Sequence, residues 1–272
     1  MRNVLLTTIV AAAVLAAAET ARAGTALPSS PFEYAIFALD RVVIGQSAVV
    51  DPGDVGVNSS SGEVQMRARA RIAGSAAAGT ISPGRNARID GAMFCNTGPV
   101  GAPGCSVLTL PLVDTSAFPI VTVEAGNDDV KLGPKLATQI APGKYGKVRL
   151  GAKSRLRLEP GVYTFRSIGI LRGASLLCDG ACTIGVRDTV EVGEGAVLST
   201  TEPVDATQLR IDIQFGAVRR AALRGNARSR VDATVYAPNG IIRLGTNGRY
   251  TGAFVAREVE ILQRARLSAP QP

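Results

Sequence analysis

The chain has 272 residues, with 30 Lys and Arg against 22 Asp and Glu, a formal net charge of +8. It contains no histidine and no tryptophan, and aromatic residues make up 4%. That removes a Ser-His-Asp triad, a histidine base and imidazole metal ligands, and it leaves a saccharide cleft without the exposed aromatics such clefts lean on.

Residues 1–23 read as an export signal. Arg2 supplies the positive start, Val4 to Ala18 the apolar run, and Ala21-Arg22-Ala23 the small-x-small cleavage site. The run is short and ends at Glu19, which argues against a membrane anchor. No later stretch is apolar enough to span a membrane. Cleavage removes Arg2, Arg22 and Glu19 and leaves +7. The mature chain is expected to be soluble and exported, to the periplasm, the cell surface or the medium.

Residues 24–33 read as a flexible lead-in. Residues 34–45, YAIFALDRVVIG, are the first strongly apolar segment and read as one or two strands, or as a short helix capping the N-terminal end of a stack of coils, where a cap is expected. Short candidate strands follow over 46–91, punctuated by glycine. There Arg67, Arg69 and Arg71 alternate with Ala68 and Ala70, which predicts three guanidinium groups on one strand face. They are the candidate ligand-binding residues, for an anionic partner.

Residues 92–119 break the rhythm and read as an excursion along one flank, with Val107, Leu108, Leu110, Leu112, Val113 and Phe118 as its covering residues. Asp128 and Asp129 lie in a tight turn without EF-hand or GGxGxD spacing, so a surface turn is expected there. No metal and no cofactor are expected anywhere in the chain.

The stretch from Gly143 to Ser199 organises the rest. Apolar or β-branched patches of two to four residues with strand alternation recur between glycines. Val148, Ile168 and Val190 repeat at about 20 residues, as do Leu156, Leu176 and Val197. Strands this short are stable only when each coil completes the ladder of the one below and buries its inward side chains. The predicted fold is therefore all-β, a β-solenoid over residues 34–267, with a frayed tail at 268–272. Residues 209–215, LRIDIQF, predict Leu209, Ile211, Ile213 and Phe215 inward. Arg219, Arg220, Arg224, Arg228 and Arg230 then cluster without aromatics, so no nucleic-acid partner is expected.

Four cysteines allow three pairings. Cys95–Cys105 and Cys178–Cys182 need the least chain rearrangement, and an exported chain favours them.

The segment VDATVYAPNGIIRLGTNGRYTGAFVAREVEI, with the earlier GKYGKVRLGAKSRLRLEPGVYTF, resembles secreted bacterial right-handed β-helices of the adhesin-like or polymer-forming kind. The resemblance implies a single-stranded right-handed parallel β-helix and brings no catalytic residues with it. The expected function is a non-enzymatic structural or adhesive role at the bacterial envelope or surface, with self-association or an envelope polysaccharide as partner. The alternative is a polysaccharide-binding or polysaccharide-cleaving β-helix. For cleavage the candidate carboxylates are Asp188, Glu191 and Glu194, with Arg166, Arg172 and Arg187 near enough in sequence to neutralise them.

Overall fold

The structure is a computed structural model. It describes residues 27–96, 105–107, 109–201, 205–215 and 220–269. The expected export segment, most of the first cysteine loop, Leu108 and Arg219 lie outside them. Among the described residues the helices are two three-residue 3-10 turns, Pro31–Glu33 and Thr115–Ala117. The chain is an all-β parallel solenoid of about 11 turns.

Each coil has three faces, and the coil at 161–178 serves as the example. Gly161–Phe165 lies on the first face, Ser167–Ile170 on the second and Ser175–Cys178 on the third. Alternation sends Tyr163, Phe165, Ile168, Ile170, Leu176 and Cys178 inward, where all are buried. Burying one such side chain contributes about 1.5–3 kcal/mol. Val148, Ile168 and Val190 stack in register as the spacing predicts. The second repeat is one residue out: Leu176 pairs with Leu198, and Val197 faces outward opposite Ser175.

The stack does not follow the order of the chain. It begins at Val130–Leu132 and climbs to Arg266–Ser268. There Arg266 and Leu267 pair with Val49 and Val50 of the N-terminal block. Ile36–Ile44 is paired on one side with Phe254–Ile261 and on the other with Val55–Val57 and Glu63–Met66. The segment is thus a strand, one of its two readings, but an interior one and not a cap at the end of the stack. Its apolar residues, Ile36, Val42 and Ile44, fill the core at the seam. The stack then continues through Arg71–Ile72 and Arg88–Ile89 to Met93–Cys95 and Cys105–Val107.

Because the two blocks meet mid-stack, the chain must travel from one end of the solenoid to the other. Residues 109–129 do so as a strap along the first face. Asn58 exchanges two 2.9 Å hydrogen bonds with the backbone of Val113. Farther along, Tyr236 donates to Pro119 O (3.0 Å), Val123 N to Gln214 (2.9 Å), and Thr164 to Glu124 O (2.9 Å). Under the strap lies a second apolar cluster of Tyr34, Phe37, Tyr236 and Val255, covered by Leu112, Val113, Phe118 and Val121. Burial drives the Tyr236 phenol up to about 12. The excursion therefore starts later than the loss of rhythm, since residues 93–95 and 105–107 remain in the ladder. Nor are residues 28–33 a loose lead-in: Ser30 caps the turn and Phe32 packs on Tyr236 with ring centroids 5.6 Å apart. At the other terminus Arg266–Ser268 is strand, and Ala269 N donates to Pro52 O (2.7 Å), so residues 268 and 269 are held rather than frayed.

The corner between the second and third faces repeats one backbone device. Lys135, Lys153, Arg228, Asn247, Arg264, Ser47, Arg69 and Asn86, with Gly173 and Gly195, all adopt positive φ near 60°. All but Asn86 donate their N–H to a carbonyl one coil away; Arg228 N reaches Thr246 O, Asn247 N Gln263 O, and Arg264 N Gln46 O, at 2.9–3.0 Å. Behind each stands a small residue in most coils, as Ala48, Ser154, Ala196, Ser229 and Ala265 do. The sequence points to glycine at corners, yet most of these positions carry long polar side chains that project into solvent.

Candidate functional site

The first face is occupied by the strap, so the second and third are the open ones. On the second face part of the charge is compensated, while Arg149 and Arg224 have no carboxylate within 4.0 Å among the described residues. Arg243 pairs with Glu260 (2.6 Å), Lys131 with Asp129 (3.3 Å), and Arg41 with Glu63 (3.9 Å).

The third face is different. One outward column reads Arg230, Arg249, Arg266, Val49, Arg71, Arg88 in successive coils. Arg264 and Arg69 rise beside it from the left-handed corner positions. Arg230 is held by Asp232 (2.6 Å), whose buried carboxylate also accepts from Ser199 (2.9 Å). Arg71 is held by Asp90 (2.6 Å) and Asp51 (3.6 Å), which keeps its guanidinium above its ordinary pKa. Arg249, Arg264, Arg266, Arg69 and Arg88 have no carboxylate within 4.0 Å among the described residues, and all are exposed. Neighbouring strands are about 4.8 Å apart, so this is a fixed column of positive charge.

The three arginines singled out in the sequence do not share a strand. Arg71 begins the two-residue strand Arg71–Ile72, while Arg67 and Arg69 belong to the corner turn, where Arg69 has φ 59°. They nevertheless lie on the basic edge. Sequence reasoning missed Arg249, Arg264 and Arg266, which complete that edge from the far end of the chain. The recurring order left-handed residue, small residue, outward residue could have found them. It reads Arg69-Ala70-Arg71, Asn247-Gly248-Arg249 and Arg264-Ala265-Arg266.

Both local disulfides are formed. Cys95–Cys105 bridges adjacent coils near the end of the stack, and Cys178–Cys182 crosses the corner from third face to first. The candidate catalytic carboxylates do not converge. Asp188 pairs with Arg187 (3.4 Å), Glu191 accepts from Asn226 (3.4 Å), and Glu194 lies between Arg172 and Arg228. The hydrogen bond from Arg228 holds the Glu194 carboxyl below its ordinary range, the opposite of what a general acid needs. Asp129 is taken up by the backbone N–H of Lys147 (2.7 Å) and by Lys131. No helix of the described residues is long and apolar enough to cross a membrane.

No curated protein matches the chain. Among solved structures it is similar to an ice binding protein from an Antarctic Biological Consortium, at 16% identity over 91% of this chain and 97% of that one, with a TM-score of 0.41. It is also similar to an ice-binding protein from the Antarctic ascomycete Antarctomyces psychrotrophicus (14% identity, 89% and 97% coverage, TM-score 0.35). A third is the DUF3494 domain of Shewanella frigidimarina ice-binding protein_1 (14%, 90% and 99%, TM-score 0.37). A family described as a domain of unknown function, DUF7305, matches residues 178–268 of this chain, from the second cysteine pair to the last strand before the seam.

Proposed function

We propose that the protein is an exported, non-enzymatic structural or adhesive element that holds an anionic envelope surface against its third face. The observation that carries this reading is the set of Arg249, Arg266 and Arg88 in the outward column, with Arg264 and Arg69 beside it, left without carboxylate partners on an open, flat face. In-register like charges destabilise a sheet, and on the second face Arg243 and Arg41 stand beside acids while Arg149 and Arg224 lie in separate coils rather than next to each other. A rigid solenoid supplies such a face without any moving part.

The cleaving alternative asks for an acid and a base free to exchange protons. Asp188 and Glu194 are instead neutralised by arginines, and Glu191 stands apart from them. Ice binding, named for the structural neighbours, is not carried over. Thr164 and Thr183 fall in different outward columns, and the open column is arginine.

The test is cell fractionation together with a turnover assay. The protein is expected in the envelope fraction, released by high salt, and to generate no new chain ends from acidic or neutral polysaccharides. Turnover abolished by Glu191→Gln or Glu194→Gln in a folded variant would overturn the reading, as would a protein found wholly free of the envelope.

A further inference from the structure

We infer that the seam, where the last coil meets the first, is the anchoring site for an acidic polysaccharide lying along the solenoid axis. This rests on the reading above and adds the ligand class and the residues that hold it.

Arg249 and Arg266 are register partners on adjacent coils, and Arg264 stands on the corner two residues before Arg266. With Asn247 and Ser47 they line a shallow depression of about 510 Å³. It exists only because the two ends of the chain meet there: Val49 lies opposite Arg266, and its small side chain leaves the floor open. None of the three guanidinium groups has a carboxylate within 4.0 Å among the described residues. Their planar forks suit two-pronged contact with carboxylate or sulfate groups. Asn247 and Ser47 add an amide and a hydroxyl that can bond sugar hydroxyls.

The same geometry disfavours nucleic acid. Single strands are held by stacking bases on exposed aromatics. The aromatic nearest in sequence, Tyr250, points inward and is 1% exposed. Beyond the seam Arg69 and Arg88 continue the edge, so four of five successive coils present cations over roughly 20 Å at the strand spacing. A linear chain with a carboxylate or sulfate on most sugars matches such a track.

Isothermal titration of the whole protein at several salt concentrations tests this, with oligouronate, dextran sulfate, neutral dextran and oligothymidylate as probes. Oligouronate and dextran sulfate are expected to bind, and neutral dextran not. The double variant Arg249→Gln/Arg266→Gln should lose at least tenfold in affinity, and its salt dependence should fall by roughly one unit of log–log slope per arginine. Its unfolding midpoint should be unchanged or higher, because a like-charge pair is gone. Full affinity in the variant, no binding of either acidic polymer, or tighter binding of oligothymidylate than oligouronate would each overturn the inference. Envelope retention without turnover, seen alongside any of these, would leave the broader reading standing and remove only this site.

Discussion

Ile44 stacks in register on Ile261, although one belongs to the first strand of the chain and the other to its last complete coil. Both are buried. Neither block can bury this end of its core without the other. Ile44→Ala should therefore cost about 2–5 kcal/mol and should destabilise both blocks in one transition. Chemical denaturation followed by tyrosine fluorescence and by far-UV circular dichroism checks it. Two separated transitions, with the 130–268 block unaffected, would show that the seam is not a shared core.

Gly248 leaves the space that the Tyr250 hydroxyl fills. There the hydroxyl accepts from Gly245 N (2.6 Å) and meets Ser229 (2.9 Å). Gly248→Ala puts a methyl group in that space and should cost about 1–3 kcal/mol, and Tyr250→Phe a similar amount through the orphaned N–H. The double variant should still carry most of the methyl's cost, because the Tyr250 ring carbons Cε2 and Cζ, which phenylalanine keeps, lie 2.6 Å from where that methyl would stand. A double variant as stable as Tyr250→Phe alone in a thermal-denaturation cycle would contradict this packing.

The left-handed corners predict an order of substitutions. At Lys153, φ is 58°. Lys153→Gly should stabilise or leave stability unchanged, within about 1 kcal/mol, since relief of the Cβ clash offsets the greater freedom of the unfolded chain. Lys153→Val should destabilise, because a β-branched side chain is an outlier there. A valine variant as stable as the glycine one would mean the corner is not left-handed in solution.

Acid should loosen the fold, and the sign is fixed by the carboxylates. Asp129 is held below its ordinary pKa first by the Lys147 N–H, and Glu194 first by Arg228. A carboxyl whose folded pKa is depressed stabilises the fold above the unfolded value, and that contribution is lost as pH falls through the folded one. The unfolding midpoint should be level from about pH 8 to 5 and drop below about pH 4. Asp129→Asn should flatten part of that drop. A midpoint that rises on acidification would contradict it.

How much of this was legible beforehand follows from what each residue sees. Val148, Ile168 and Val190 announced the coils because strand alternation and burial act locally. The Leu156 repeat slipped by one residue at Val197, where two apolar residues stand side by side and only Leu198 faces in. Ile36–Ile44 looked terminal because it comes early, but strand pairing has no memory of chain order. The strap was legible as a loss of period, while its partners, Asn58, Tyr236 and Gln214, were not, since each is far away in sequence. The basic edge was half visible. Arg67, Arg69 and Arg71 alternate within one segment, but Arg249, Arg264 and Arg266 join them only through the seam.

The most direct measurement compares two variants that lose the same charge on different faces. Arg249→Gln/Arg266→Gln removes two cations from the third face, and Arg149→Gln/Arg224→Gln removes two exposed cations from the second. Affinity for oligouronate is measured for both at one ionic strength. A built binding face should show a loss of at least tenfold for the third-face pair and less than about threefold for the second-face pair. Equal losses would mean that the net charge alone attracts the polymer, and would contradict a built binding face.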